Sequence, residues 1–236
     1  MAKKGKLKKF QEKELEERPV RFKRYQYLFL IVCEDENTEP AYFERFKNQI
    51  PKETIFLRPV GTGRDAKGVV EQAIVEREKL SFEAKKEVDV VWAVFDKDDA
   101  DENAAKIKRF EDAFKIAKSN NIETAYSNEA FELWLLLHLT EVDANTALPR
   151  AEIYALLQEN IRDDEAHKTF EYEHGNASIL QIIDEIGNQT NAINRAEILL
   201  QKQHGKTAIE ANPSTRIHIL VKELLEWITY FSYKPY

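Results

Sequence analysis

The first half of the chain contains four short, mostly apolar runs. Three of these runs are followed by a longer segment in which apolar residues recur three or four positions apart. The first and third runs are continuous, as in strands buried on both faces of a parallel sheet, the second run is more alternating, and the longer spacing predicts amphipathic helices. The predicted strands are residues 27–32, 54–60, 88–95 and 122–126, and the helices between them are residues 38–49, 67–86 and 104–119. This alternation predicts an α/β, Rossmann-like core with a mainly parallel sheet of about four strands flanked by helices.

The second half of the chain has no further strand pattern. Its predicted helices are residues 131–138, 152–160, 178–186, 192–203 and 214–231. Because the polar loop 139–150 separates the two halves, we expect a core at residues 26–140 and a helical extension packed on it at residues 141–236.

Residues 1–25 form a third region, which is strongly basic. They hold ten Lys or Arg against four Glu, a charge of +6, whereas the other 211 residues carry −13. A basic arm attracts nucleic acid because neutralising phosphates releases counterions, while an acidic body repels it. The arm therefore permits a nucleic-acid partner, and a solubilising tail is the alternative.

Several classes of protein are excluded by the composition. A single internal cysteine, Cys33, rules out an intrachain disulfide framework and a Cys-rich zinc site. No run of about 18 apolar residues is present, and the basic N-terminus lacks the apolar core of a signal peptide, so we expect a cytoplasmic protein without a membrane segment. The histidines show no zinc-binding spacing and are expected to be structural or exposed.

Acidic residues follow two of the predicted strands. Glu34 follows the first strand, and Asp96 and Asp98 follow the third, with Asp99 as a further candidate. Carboxylates that converge at one edge of a sheet are costly unless a divalent cation neutralises them, and hard oxygen ligands suit Mg²⁺ or Mn²⁺. The sequence thus predicts a metal site, and the alternative is that these residues only solubilise loops.

Basic residues beside the predicted helices are candidates for phosphate binding. The loop GTGRDAKG at residues 61–68 precedes a helix, where free N–H groups favour an anion, and Arg64 or Lys67 would contact a phosphate. Lys168 and Arg216 are further candidates for phosphate or carboxylate partners. The loop lacks the Gly-Lys-Ser/Thr of a Walker A motif, and an ordinary glycine-containing turn is the alternative.

Glu132 lies in a strongly apolar predicted helix, FELWLLLH. An ionised carboxylate in such surroundings needs a partner, either a metal or a basic residue. Glu132 is therefore a candidate catalytic residue, and a structural ion pair is the alternative.

A Glu after an apolar strand, followed later by an apolar strand that ends in Asp-x-Asp, resembles the TOPRIM catalytic fold of topoisomerases, primases and OLD-type nucleases. Within that group the chain is similar to the RloB-like family. The resemblance is carried by residues 31–43 (IVCEDENTEPAYF), 90–101 (VVWAVFDKDDAD), 125–138 (AYSNEAFELWLLLH) and 212–224 (NPSTRIHILVKEL). One departure is Asp35, which stands where many TOPRIM domains have glycine and so affects the geometry of the loop.

The resemblance implies a metal-dependent nuclease of a bacterial antiphage or abortive-infection system, acting on DNA or RNA, tRNA included, with a partner ATPase encoded elsewhere. Glu34 matches the general acid/base or metal-contacting Glu, and Asp96 and Asp98 match the aspartates that hold Mg²⁺. The alternatives are a non-catalytic subunit that binds nucleic acid or a partner, and another phosphoryl-transfer enzyme, for nucleotide hydrolysis or primase-like synthesis. The type of nucleic acid, the activating trigger and the oligomeric state, a homo-oligomer included, stay open.

Overall fold

The structure is a computed structural model that describes residues 22–233. Its sheet has five strands in the order β2-β1-β3-β4-β5, of which the first four are parallel and β5 runs antiparallel to β4. The strands are β1 Tyr27–Cys33, β2 Ile55–Gly61, β3 Val90–Asp96, β4 Glu123–Asn128 and β5 Ser214–Thr215. The α/β fold is thus confirmed, with one correction: residues 214–215, predicted to begin the last helix, form an edge strand.

Within residues 22–233, eight α-helices connect and cover the strands. They are α1 Thr38–Glu44, α2 Ala66–Ala84, α3 Ala104–Ser119, α4 Glu132–Leu139, α5 Arg150–Arg162, α6 Ile179–Ile186, α7 Gln189–Lys202 and α8 Ile217–Tyr233. The predicted helix 38–49 is divided, since α1 gives way to a 3₁₀-helix at Arg45–Gln49. Further 3₁₀-helices lie at Phe22–Arg24 and Glu165–His167.

The apolar run of β1 places alternate side chains on the two faces of the sheet, and both faces are covered. Leu28, Leu30 and Val32 pack in a core with α2 and α3. Phe29 and Ile31 pack in the opposite core, which contains buried residues from α1 and from every helix from α4 to α8. The later helices therefore share a core with the sheet, while the domain division at residue 140 stays a prediction.

The predicted basic arm lies mostly outside the described residues. Its last residues are described, and the rings of Phe22 and Tyr25 pack edge-on against Phe56 of β2, with centroids 4.9 and 5.2 Å away. Within residues 22–233, no helix has both the length and the apolar composition needed to cross a bilayer.

The strand order creates a crevice at the carboxyl ends of β1 and β3. From β1 the chain passes to β2 on one side, and it then crosses to β3 on the other side. In open α/β sheets, ligands bind at such a topological switch point because the connections leave the edge in opposite directions. The residues that follow β1 and end β3 are consequently the ones that line the crevice.

Candidate active site

Glu34 and Asp96 meet in the crevice between β1 and β3. The Glu34 backbone N–H continues the sheet by donating to Val94 O at 2.9 Å. The Glu34 side chain then reaches across to Asp96, whose backbone N–H donates to Glu34 Oε2 at 2.9 Å. The structure therefore brings these two predicted site residues together.

The Asp96 carboxylate is only half-satisfied by hydrogen bonds. Its Oδ2 accepts from the backbone N–H of Phe131 at 3.0 Å. Its Oδ1 is buried and has no hydrogen-bond partner among residues 22–233. An unpartnered buried carboxylate oxygen is costly, so this atom is available to an additional ligand.

Burial also makes negative charge unfavourable at this site. Desolvation, with added repulsion from Asp65 and Asp35, raises the pKa of Glu34 to about 7. Desolvation first, then the charges of Glu39 and Glu34, raise the pKa of Asp96 well above its usual range. Perturbed carboxylates of this kind concentrate at functional sites.

Glu39 is a site residue that the sequence analysis did not identify. It lies on α1, its side chain is buried, and its Oε2 accepts from the Asp35 backbone N–H at 3.1 Å. Burial, followed by repulsion from Glu34, raises the pKa of Glu39 well above its usual range. The sequence signal for Glu39 is weak, because an acidic residue in a first helical turn is explained by the helix dipole alone.

The charge of Asp98, unlike that of Asp96, is neutralised by a partner within the protein. The φ of Asp98 is 49°, in the left-handed region that Asp tolerates better than most residues. Its carboxylate forms an ion pair with Arg150, the first residue of α5. Asp98 lines the same cavity as Glu34 and Asp96, and its role as a metal ligand stays a prediction.

A cavity of about 120 Å³ opens beside this pair. Lys67 and Asp99 both line it, and the Asp99 carboxylate is exposed and pairs with Lys106. Arg64, in contrast, is exposed and does not line this cavity. Of the predicted phosphate-binding residues, Lys67 is thus the one beside Glu34.

The other two predicted phosphate-binding residues lie elsewhere, and neither lines this cavity. Lys168 follows the 3₁₀-helix Glu165–His167 and pairs with Glu165 at 2.6 Å. Arg216 joins β5 to α8, where its backbone N–H donates to Tyr126 O at 2.8 Å. Its Nε is buried without a partner among the described residues. Their roles in phosphate binding stay predictions.

Glu132 begins α4, and its side chain is only 6% exposed. The Tyr172 hydroxyl donates a hydrogen bond to Glu132 Oε1, and His174 Nδ1 lies 3.6 Å from the same oxygen. Its partners are thus a phenol and an imidazole contributed by the segment between α5 and α6. No sequence spacing links residues 132, 172 and 174, so this contact was not predictable.

The oxygens of Glu34 and Asp96 suit Mg²⁺ or Mn²⁺. Within residues 22–233, no group of three or more His, Cys, Asp and Glu side chains forms a complete metal-binding set. Mg²⁺ in phosphoryl-transfer sites is commonly held by one or two carboxylates, with waters and substrate phosphates completing its shell. The unpartnered Asp96 Oδ1 beside Glu34 fits such an incomplete protein shell.

Comparison with known proteins gives one match. The family model described as RloB-like protein matches residues 29–224, a span that begins in β1 and ends within α8. No curated protein and no solved structure matches the chain significantly.

Proposed function

Because the chain belongs to the RloB-like family, we propose that it is a metal-dependent phosphodiester hydrolase that cleaves DNA or RNA. The observation that carries this proposal is the buried pair of carboxylates in the crevice, in which Asp96 Oδ1 has no hydrogen-bond partner among the described residues. Such a pair destabilises the protein by itself, and its presence supports a role in binding a ligand.

The residues of the crevice have different roles in the proposed reaction. Glu34 and Asp96 would hold Mg²⁺ or Mn²⁺, which supplies polarisation of the scissile phosphate and stabilisation of the leaving oxygen. Glu34, which reaches across the crevice to the Asp96 backbone N–H, is placed to orient the attacking water or accept its proton. Lys67 at the cavity wall is placed to contact a phosphate oxygen.

We further propose a role in bacterial antiphage defence, in which the nuclease acts with a separately encoded ATPase. Family membership supports this role, and the chain itself lacks a Walker A sequence. The substrates to compare are therefore double-stranded DNA, single-stranded DNA and tRNA.

The proposal is tested with purified full-length protein, incubated with plasmid, single-stranded DNA and total tRNA in Mg²⁺, Mn²⁺ or EDTA. We expect cleavage of at least one substrate that requires the metal and falls about 10²–10⁴-fold in Asp96→Asn and in Glu34→Gln. Glu102→Gln is the matched control, because this carboxylate is exposed, pairs with Lys106 and does not line the cavity. Cleavage that survives Asp96→Asn would contradict the proposed site.

The ion pair of Asp98 with Arg150 favours a second candidate, a non-catalytic subunit that binds nucleic acid or a partner protein. In that case one of the two predicted Mg²⁺ aspartates is already neutralised by the protein itself. Gel-shift binding to the same three substrates without cleavage in either metal would support this candidate against the nuclease.

A further inference from the structure

Tyr154, Tyr172 and His174 form an ordered cluster around Glu132. The rings of Tyr154 and Tyr172 lie 4.6 Å apart, and the Tyr154 hydroxyl is 3.3 Å from His174 Nδ1. Glu132 is buried at the base of the cluster, while the His174 side chain is 69% exposed. The imidazole is thus fixed on one edge by protein and open to solvent on the rest.

This cluster lies beside the Glu34 and Asp96 pair. Glu132 directly follows Phe131, whose backbone N–H donates to Asp96 Oδ2 at 3.0 Å, and the charge of Glu132 acts on both Asp96 and His174. Gly175 faces the loop that follows β1, since a Cβ built at Gly175 would be 3.8 Å from Asn37 Nδ2. The segment between α5 and α6 therefore lies against the loop that follows β1, and Asp35 of that loop is among the charges that act on His174.

We propose that His174 is a further catalytic residue of this chain, which donates a proton to the leaving oxygen of the phosphodiester. Glu132 and Tyr154 act as positioning residues, because both contact Nδ1 of the imidazole. This inference rests on the proposed nuclease function.

The proposed step balances with water as the only co-reactant. Water attacks phosphorus and forms the new P–O bond, and its proton passes to Glu34. The bond from phosphorus to the leaving oxygen breaks, and that oxygen takes the proton of the His174 imidazolium. Transfer of the Glu34 proton to solvent, and of a solvent proton to His174, restores both groups.

The surroundings of His174 favour the protonated imidazole. The Glu132 carboxylate, 3.6 Å from Nδ1, is the largest cause of a raised His174 pKa, and Asp35 adds to it, whereas partial burial and Arg150 oppose it. Tyr154 and Tyr172 face the same cluster, and burial, reinforced by the charge of Glu132, raises the pKa of each phenol, so both stay neutral at physiological pH. A proton held in this way is available to a leaving alkoxide near neutral pH.

The test compares two leaving groups in full-length His174→Gln protein. The alkoxide that leaves a nucleic acid needs a proton, whereas the 4-nitrophenolate released from bis(4-nitrophenyl) phosphate does not. We expect cleavage of the nucleic acid to fall about 10²-fold or more, with bis(4-nitrophenyl) phosphate cleavage nearly unchanged. His167→Gln is the matched control, because His167 pairs with Glu185 away from the cluster, and we expect normal cleavage of both substrates.

A second measurement is independent of catalysis. In an NMR titration of metal-free protein, we expect His174 to titrate above the ordinary histidine pKa, and Glu132→Gln to lower that value. Equal losses with both substrates, no loss with either, or a normal titration of His174 would each overturn the inference while the nuclease proposal stands. A wild-type protein that cleaves neither substrate would instead reject the nuclease proposal, and this inference with it.

Discussion

At the scale of single residues, the negative charge of the Asp96 carboxylate is only partly stabilised by the surrounding protein. The backbone N–H of Phe131 stabilises one oxygen, and the described protein leaves the other without a partner. The charges of Glu39 and Glu34 both repel the charge of Asp96. Functional sites are often destabilising in this way, because the group that binds a ligand is retained at a cost in stability.

Replacing Asp96 by Asn is therefore expected to stabilise the metal-free protein while it abolishes cleavage. The amide oxygen can still accept from Phe131, and the unfavourable charge is gone, so the free energy of unfolding should rise by about 1 kcal/mol. Urea unfolding in EDTA at mildly alkaline pH measures this change, with Asp99→Asn as the exposed control. A loss of stability would show that the Asp96 charge has a structural partner after all.

His138 gives the protein a specific sensitivity to acid. Burial, with the charges of Arg45 and Arg195, lowers its pKa to about 4, and its Nδ1 contacts Trp134 O at 2.9 Å. The unfolded chain takes up a proton near the ordinary histidine pKa, whereas the folded protein does not, so stability is complete above that value and falls as the pH drops toward 4. The loss through this group is about 3 kcal/mol.

We expect His138→Gln to remove this part of the acid sensitivity. The free energy of unfolding of the variant should differ less from that of the wild type as the pH is lowered from about 7 to about 4. Urea unfolding of both proteins at several pH values measures this difference. His218, whose pKa is also lowered to about 4 by burial, remains in both proteins and accounts for the remaining histidine contribution. A difference that does not change with pH would contradict the assignment.

The part of the site that was predictable is the part that strands position. Glu34 and Asp96 follow apolar runs directly, so the sheet fixes where they lie once the runs are recognised. Arg150 pairs with Asp98, and His174 lies beside Glu132, through the packing of α5 and of the segment after it. That packing depends on tertiary contacts between distant parts of the chain, and no local pattern encodes it.

At the scale of elements, the loops after β1 and β2 are held in unusually close contact. A Cβ at Gly61 would lie 2.6 Å from Glu36 Cα and 2.7 Å from Asp35 O, both backbone atoms that cannot rotate away. The Gly63 N–H donates to Glu34 O at 2.8 Å and links the same two loops. Gly61 is thus required by the close approach of the loop that carries Glu34.

Gly61→Ala should push these loops apart. We expect a loss of about 1–3 kcal/mol in the free energy of unfolding, as for other overpacked positions, together with weaker metal-dependent cleavage because Glu34 moves. Urea unfolding and the cleavage assay, measured on the same preparation, test both effects. Unchanged stability would mean that the two loops separate at no cost.

The strands differ in how well a sequence pattern predicts them. Strands β1 and β3 were predictable because continuous apolar runs are required for burial on both faces, whereas β2 was predicted from a more alternating pattern. Residues 214–215 form a strand of only two residues, whose pairing with Ser127 and Asn128 arises from the position of α8 beside the sheet. Two residues are too few to show a period, and the capping residues around them suggested a helix start instead.

At the scale of the whole molecule, the sheet and the later helices form one structure around α4. Residues 133–137, at the centre of α4, have no exposed surface. On one side α4 contacts β4, and on the other it packs against α5 and α7. The site depends on the same arrangement, since Glu132 begins α4 and Arg150 begins α5.

A chain that ends at residue 140 should therefore fail to fold, although it contains every parallel strand. Without α5 and α7, the apolar residues of α4 would face water, at a cost of roughly 1.5–3 kcal/mol for each large side chain. When several such side chains are exposed together, the summed cost exceeds the free energy of unfolding of an ordinary domain. Far-UV and near-UV circular dichroism during urea unfolding would show no cooperative transition for the fragment and a single one for the full chain. A cooperative transition in the fragment would instead establish that residues 26–140 are an independent domain, and that the helical extension contributes to the site without being needed for the fold.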